Sequence, residues 1–156
     1  MKKFIAILGI ALLASFALAG PKQLTSFGAI MNHLKAGGKV NLVLDYGQMQ
    51  LKVDNEVVES PKAIGGMTLE PWEFFEKGVV RNENAYVVSS ETHLISSARY
   101  GFVFNYVRVR IYDNDKVEVN AKYVTTDYKQ TVMDETFYGE VSKKKGDKKG
   151  VGAFAQ

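Results

Sequence analysis

The second half of the sequence alternates apolar and polar side chains with a period of two residues, which is typical of strands that bury one face. The longest alternation covers residues 102–112, and the turn residues Asp113-Asn114-Asp115 lead into a return run over residues 116–125. Residues 86–95 and 129–141 show the same pattern. The sequence therefore predicts an antiparallel β meander.

The turn length fixes which side chains share a face. A three-residue turn at 113–115 places Ile111 opposite Val117 and Arg110 opposite Glu118, so that apolar residues meet apolar ones. A two-residue turn would set Ile111 against Glu118 and mix the faces. The three-residue turn is therefore predicted, with residues 151–155 as a short last strand.

Glu135 breaks this pattern, because the continued register places it on the apolar face opposite Ala121. Burying a carboxylate costs several kcal/mol unless the group is paired, neutralised or hydrated. Arg99, His93 or Tyr123 could hold it, or it could line a polar cavity. A structural ion pair or an error in the register are the alternatives.

One helix is predicted before the sheet. Thr25 or Ser26 can act as its N-cap, the apolar positions recur at helical spacing, and Gly37-Gly38 ends it. Such a short helix must pack on another element to be stable. The apolar positions are Phe27, Ile30, Met31 and Leu34.

The fold class predicted from these elements is α+β, mainly an antiparallel β meander with the N-terminal helix packed on the sheet. The sheet either stays open or curls into a partly closed barrel. Residues 40–46 and 49–53 are predicted strands, with a turn at Asp54-Asn55. Ile64-Gly65-Gly66-Met67 indicates a tight backbone feature.

The segment after Pro71 is ambiguous, because it is rich in aromatic residues that suit both helices and strands. A short helix ending near Gly78 is favoured over an irregular strand. Trp72 in this segment is interpreted as a buried anchor first and as a binding residue second.

The amino terminus has the features of an export signal. Lys2 and Lys3 precede an apolar run over residues 4–16, and Ala17-Leu18-Ala19 provides a small-x-small cleavage pattern. The apolar stretch is shorter than the roughly 20 residues that span a bilayer. We expect a cleaved signal peptide over residues 1–19, one domain over residues 20–156, and a location in the periplasm or the extracellular medium.

The charge pattern argues against nucleic-acid binding. Removal of the two signal-peptide lysines from the 20 basic residues nearly balances the 17 acidic ones. The remaining excess lies in a lysine-rich loop over residues 143–149, outside any folded basic face. A solvated loop is the preferred interpretation, and a surface for anionic lipid, glycan or protein is the alternative.

Few residues are available for catalysis or metal binding. The chain has no Cys and two His, and it contains no nucleophile elbow, phosphate loop or calcium loop. We therefore expect no catalytic residue, no metal and no cofactor. An enzyme that uses Glu135 with His93 or Asp45 is the least favoured interpretation. Asp45 and Tyr46 are assigned to a turn in preference to a polar cluster around Glu135.

Two interpretations are open for the aromatic row on the strand over residues 102–112, which consists of Phe102, Phe104 and Tyr106. Core packing beneath the N-terminal helix is preferred, and an exposed platform for a ligand or partner is the alternative.

Five stretches resemble the VirK family of small exported bacterial proteins. They are Val43-Leu44-Asp45-Tyr46, Ile64-Gly65-Gly66-Met67, and residues 90–96, 100–110 and 133–137. The resemblance implies a virulence-associated protein of Gram-negative bacteria and supplies no enzyme activity, cofactor or catalytic residue.

The sequence and this resemblance together favour a non-enzymatic factor that binds a host or envelope component, with a protein, a glycan or a small ligand as its partner. No stable membrane insertion is expected after signal cleavage. A small-ligand-binding β-barrel, with Glu135 and the aromatic row lining its cavity, is the alternative.

Overall fold

A computed structural model describes residues 20–53, 56–144 and 146–156, so the predicted signal peptide and the turn at Asp54-Asn55 lie outside the described residues. The described chain forms an eleven-stranded sheet and one α-helix, α1, which confirms the predicted fold class. None of its helices is long and apolar enough to cross a membrane. The elements are β1 Gln23–Leu24, α1 Phe27–Lys35, β2 Val40–Asp45, β3 Gln50–Val53, β4 Glu56–Val58, β5 Ile64–Thr68, β6 Trp72–Phe75, β7 Tyr86–Ser97, β8 Gly101–Tyr112, β9 Lys116–Thr125, β10 Thr131–Val141 and β11 Gly150–Ala155.

The register across β8, β9 and β10 is the one the sequence predicts. Ile111 pairs with Val117 across the three-residue turn, and Arg110 pairs with Glu118. Across the next turn, Glu135 lies opposite Ala121. The apolar positions of all three strands therefore share one face of the sheet.

A short segment of the chain connects the two edge strands of the sheet. The main strand order is β5-β2-β11-β10-β9-β8-β7-β6, so β5 and β6 lie at opposite edges. Only residues 69–71 connect them, and four residue steps from Thr68 to Trp72 span at most about 14 Å. The sheet must therefore curl, and it forms a half-barrel with a concave and a convex face.

Helix α1 fills one part of the concave face. Ser26 is its N-cap, with Oγ accepting a hydrogen bond from the Ala29 N–H at 3.2 Å. The helix buries Ile30, Met31 and Leu34 against the apolar side chains of the strands. Full burial of each such side chain contributes roughly 1.5–3 kcal/mol, which offsets the low intrinsic stability of nine helical residues.

The helix predicted after Pro71 is wrong, because Trp72–Phe75 forms strand β6 and pairs with β7. Phe74 packs inward at 6.4 Å from the Phe27 ring, whereas Phe75 stacks outward on Tyr86 at 5.1 Å. A strand places neighbouring residues on opposite faces, and a helix cannot. Trp72 lies on the inward face, half-buried against the core.

The last strand also departs from an antiparallel meander. β11 runs parallel to β10 through the pair Val141 and Val151, and antiparallel to β2. The lysine-rich loop turns back on itself, because Asp147 Oδ2 accepts a hydrogen bond from the Lys143 N–H at 2.6 Å. The chain thereby enters the gap between β2 and the end of β10.

Asp115, in the turn between β8 and β9, connects that turn to the first residue of α1 and to Lys143 of the lysine-rich loop. Its substitution tests this connection. Its Oδ1 accepts a hydrogen bond from the Phe27 N–H at 2.7 Å, and Oδ2 pairs with Lys143. Partial burial acts to raise the pKa of Asp115, but the hydrogen bonds from Lys143 and the Phe27 N–H hold it below its ordinary value. Asp115→Asn keeps a residue that tolerates the φ of +66° and removes the charge.

We expect Asp115→Asn to lose about 1–2 kcal/mol of unfolding free energy at pH 7. Because the folded-state pKa is lowered, the charge stabilises the fold above about pH 4, and this contribution disappears as the pH falls further. Urea unfolding from pH 7 to pH 3 measures the difference from the wild type. Glu76→Gln, an exposed carboxylate, is the control. A difference that does not shrink as the pH falls from 7 to 3 would contradict the assignment.

Candidate ligand-binding cleft

The concave face holds an open cavity of about 870 Å³. Its floor consists of inward side chains from β8, β9 and β10, and residues 59–63 between β4 and β5 form part of its wall. Tyr46, in the short 3₁₀ turn Tyr46–Gln48 after β2, also lines it. We call this cavity the cleft.

The sheet register decides which side chains reach the floor. Val107, Ala121 and Glu135 form one cross-strand row. Asn105, paired with Tyr123, begins the adjacent row. Residues directly opposite each other on neighbouring strands share a face, so these rows present carboxylate, amide and phenol groups beside apolar ones. Glu135 is half-buried there.

The partners suggested for Glu135 by the sequence are placed differently. His93, on β7, lies opposite Asn105 and so shares the concave face with the cleft floor. Among the described residues, no ion pair within 4 Å joins Glu135 to Arg99 or His93. His93 is exposed, and its Nε2 lies 3.4 Å from Glu91 Oε1. Arg99 stacks over the Tyr100 ring at 5.1 Å. Of the suggested partners, only Tyr123 lines the cleft with Glu135.

Tyr46 packs against Phe137 and Gly65 at the wall of the cleft. Its ring centroid lies 4.7 Å from that of Phe137, and Gly65 leaves room beneath it. Burial raises the pKa of Tyr46, and the charges of Glu91 and Tyr123 raise it further. The hydroxyl therefore stays protonated near neutral pH and can donate a hydrogen bond.

Asp45 does not join this group. It precedes the 3₁₀ turn without a side-chain capping bond, and it lines a second cavity of about 570 Å³ together with Phe154. Asp45 therefore lies at a turn, as preferred from the sequence, and only Tyr46 of the pair faces the cleft.

Asn105 is a cleft residue that the sequence reasoning missed. Its Oδ1 is buried and has no hydrogen-bond partner among the described residues. A signal was present, because Asn105 interrupts the apolar alternation of Val103, Val107 and Val109 in the way that Glu135 does on β10. A buried acceptor without a donor is costly, so it favours a ligand that supplies one.

The aromatic row of β8 lies outside the cleft, so its interpretation as core under the helix is wrong. Phe102 is 68% exposed on the convex face, and Phe104 stacks on Tyr128 at 4.9 Å. Tyr106 is half-buried on the same face. The reason is the register, which gives the inward positions to the neighbouring valines, including Val103.

The fold and the cleft define a small α+β half-barrel whose helix closes one part of the concave face and leaves the other part open. Residues 23–128 match the family model described as VirK protein. The chain belongs to the VirK family, as its motifs indicated.

A crystal structure of a VirK family protein from Legionella pneumophila is similar, with a TM-score of 0.63 at 13% sequence identity. The alignment covers 85% of this chain and 98% of that one. At this identity the similarity concerns the fold. No curated protein sequence matches the chain significantly.

The Gly65-Gly66 pair, predicted as a tight backbone feature, is part of strand β5, and the two glycines differ in one testable respect. A Cβ at Gly65 would lie 3.1 Å from the Tyr46 ring, whereas a Cβ at Gly66 would meet Leu42 O at an ordinary 3.5 Å. We expect Gly65→Ala to lose about 1–3 kcal/mol of unfolding free energy through overpacking.

Gly66→Ala, the matched control, should change the unfolding free energy by less than about 1 kcal/mol, since a Cβ there has room. Chemical denaturation measures both variants. Equal losses would show that Gly65 does not make room for the Tyr46 ring.

Proposed function

We propose that this protein is an exported, non-enzymatic binding protein and that it holds its ligand in the cleft. The observation that carries the proposal is Glu135, a carboxylate on the floor of an open cavity of about 870 Å³. This volume lies within the range of about 300–1,000 Å³ that is typical of ligand sites.

The groups around the cleft indicate the chemistry of the ligand. Leu51 and Met133 provide apolar surface, and the wall residues Glu59 and Lys62 carry opposite charges. On the floor, the carboxyl oxygens of Glu135 and the Asn105 Oδ1 can accept hydrogen bonds. A ligand that satisfies them carries hydrogen-bond donors, best a positively charged amine, on an apolar body. Such an amine would also compensate the partial desolvation of Glu135.

A binding role is supported over a catalytic one by the surroundings of Glu135. Acid–base catalysis needs a second proton-transferring group within hydrogen-bond reach of the reacting atoms. His93 is engaged with Glu91, and Asp45 lines the other cavity. Among the described residues, no ion pair within 4 Å joins Glu135 to His93, and this supports a binding role for the carboxyl group.

Export and the nature of the partner rest on other observations. Residues 1–19 have the charge, the apolar run and the cleavage pattern of a signal peptide. Membership of the VirK family supports a role outside the cytoplasm, toward a host or envelope component. The ligand is therefore proposed to be a small molecule, or an exposed group of a larger molecule, that the protein meets after export.

Glu135→Gln tests the cleft with a defined probe. We expect octylamine to bind the wild type and to bind Glu135→Gln at least tenfold more weakly, about 1.4 kcal/mol, because the charge pair is lost. Titration followed by amide NMR shifts of β9 and β10 measures the affinity. Glu73→Gln, an exposed carboxylate on β6, is the matched control and should bind like the wild type.

Octanoate has the same apolar chain with the opposite charge, and it should bind the wild type more weakly than octylamine does. Equal binding of the two probes, or an unchanged octylamine affinity in Glu135→Gln, would contradict the proposed role of Glu135.

Export is tested separately in a Gram-negative host. Deletion of residues 2–19 should retain the protein in the cytoplasm, while the full chain should reach the periplasm or the medium as a shorter mature form. Cell fractionation with intact-mass measurement reports both outcomes. A full chain that remains uncleaved in the cytoplasm would refute export.

A further inference from the structure

A basic recess of about 430 Å³ lies on the convex side of the sheet, where the lysine-rich loop returns to β11. Lys52 of β3, Lys116 of β9, and Lys148 and Lys149 of the loop all line it. Glu140 is the only acidic residue among the lining residues that the structure describes. We call this feature the lysine recess.

The strand arrangement brings these distant segments together. β10 pairs with β9 along one edge and with β3 along part of the other, so Lys116 and Lys52 approach from its two sides. The end of the lysine-rich loop lies against β10, because the Glu140 N–H donates a hydrogen bond to Lys149 O at 2.8 Å. Gly150 follows with a φ of +88°, and a Cβ there would meet Met49 Cγ at 2.6 Å.

The positive charge of the recess is largely uncompensated. Lys149 pairs with Glu140 at 2.7 Å. Lys52, Lys116 and Lys148 make no ion pair within 4 Å in the described part of the chain. Bringing like charges together destabilises a fold unless an anion neutralises them, and a recess focuses the resulting potential.

Uncharged groups complete the lining. Gln48 and Gln50 contribute amides that can donate hydrogen bonds, and the Tyr138 ring lies 5.1 Å from Lys52 Nζ. This cation–π contact positions Lys52 at the recess without neutralising it. Ammonium and amide donors around one small volume form an arrangement that accepts a multiply charged anion.

We propose that the lysine recess binds a small ligand or headgroup that bears phosphate groups. Its volume falls within the usual range for small-molecule sites, and three lysines without carboxylate partners match the charge of a phosphate ester or pyrophosphate. The site is independent of the cleft, because Tyr138 and Phe137 are neighbours on β10 and point to opposite faces of the sheet.

The test uses the mature protein and a triple variant, Lys52→Gln, Lys116→Gln and Lys148→Gln. All three lysines are exposed, so the variant should fold. The control triple is Lys22→Gln, Lys77→Gln and Lys129→Gln, which removes the same charge from exposed positions outside the recess. Calorimetric titration with inorganic pyrophosphate measures affinity at low and at physiological salt.

We expect the wild type to bind pyrophosphate, the recess variant to bind at least tenfold more weakly, and the control triple to stay within twofold of the wild type. Co-sedimentation with phosphatidylglycerol vesicles, against phosphatidylcholine vesicles, distinguishes a lipid headgroup from a free phosphate compound. Vesicle binding that only the recess variant loses assigns the headgroup as the source.

Two results would overturn the proposal. One is the absence of binding to both pyrophosphate and anionic vesicles. The other is an equal weakening in the two triple variants, which would show that diffuse surface charge, and not the recess, attracts the anion. Neither result would bear on octylamine binding in the cleft.

Discussion

The three-residue turn between β8 and β9 sets the register on which both faces of the sheet depend. A slip of one residue would reverse the inward and outward positions of every following side chain. The turn also holds the helix, because Asp115 accepts a hydrogen bond from the first N–H of α1 and pairs with Lys143. One short segment thus aligns the strands, positions the element that covers them and fastens the lysine-rich loop.

The short length of α1 explains why one part of the concave face is a buried apolar core and the other part is an open cleft. Nine residues cover only some of the concave face, where Ile30 and Leu34 meet the apolar strand residues. Beyond the helix the same face carries Glu135, which stays half-exposed because the cavity is open, and Asn105, whose buried Oδ1 has no hydrogen-bond partner among the described residues. The covered core and the open cleft are therefore two parts of one continuous surface.

The two faces of β10 carry opposite chemistry. Glu135 and Phe137 point into the cleft, which favours an apolar ligand with donor groups. Tyr138 and Glu140 line the lysine recess, which favours an anion. Because adjacent residues of a strand alternate between faces, one strand can support two separate binding surfaces with little interference between them. The two proposed sites therefore lie on opposite faces of the same strand.

The sequence alone determined α1, the strands from residue 86 to residue 141, their register and the unusual position of Glu135, because these follow from local periodicity and turn length. The inward position of Asn105 could also have been predicted from the sequence, because it follows from the same periodicity. Tertiary structure decided that β6 is a strand, that β11 runs parallel to β10, that Phe102 faces outward and that distant lysines converge. Those outcomes depend on which elements meet across the curled sheet, and no short window of sequence contains that information.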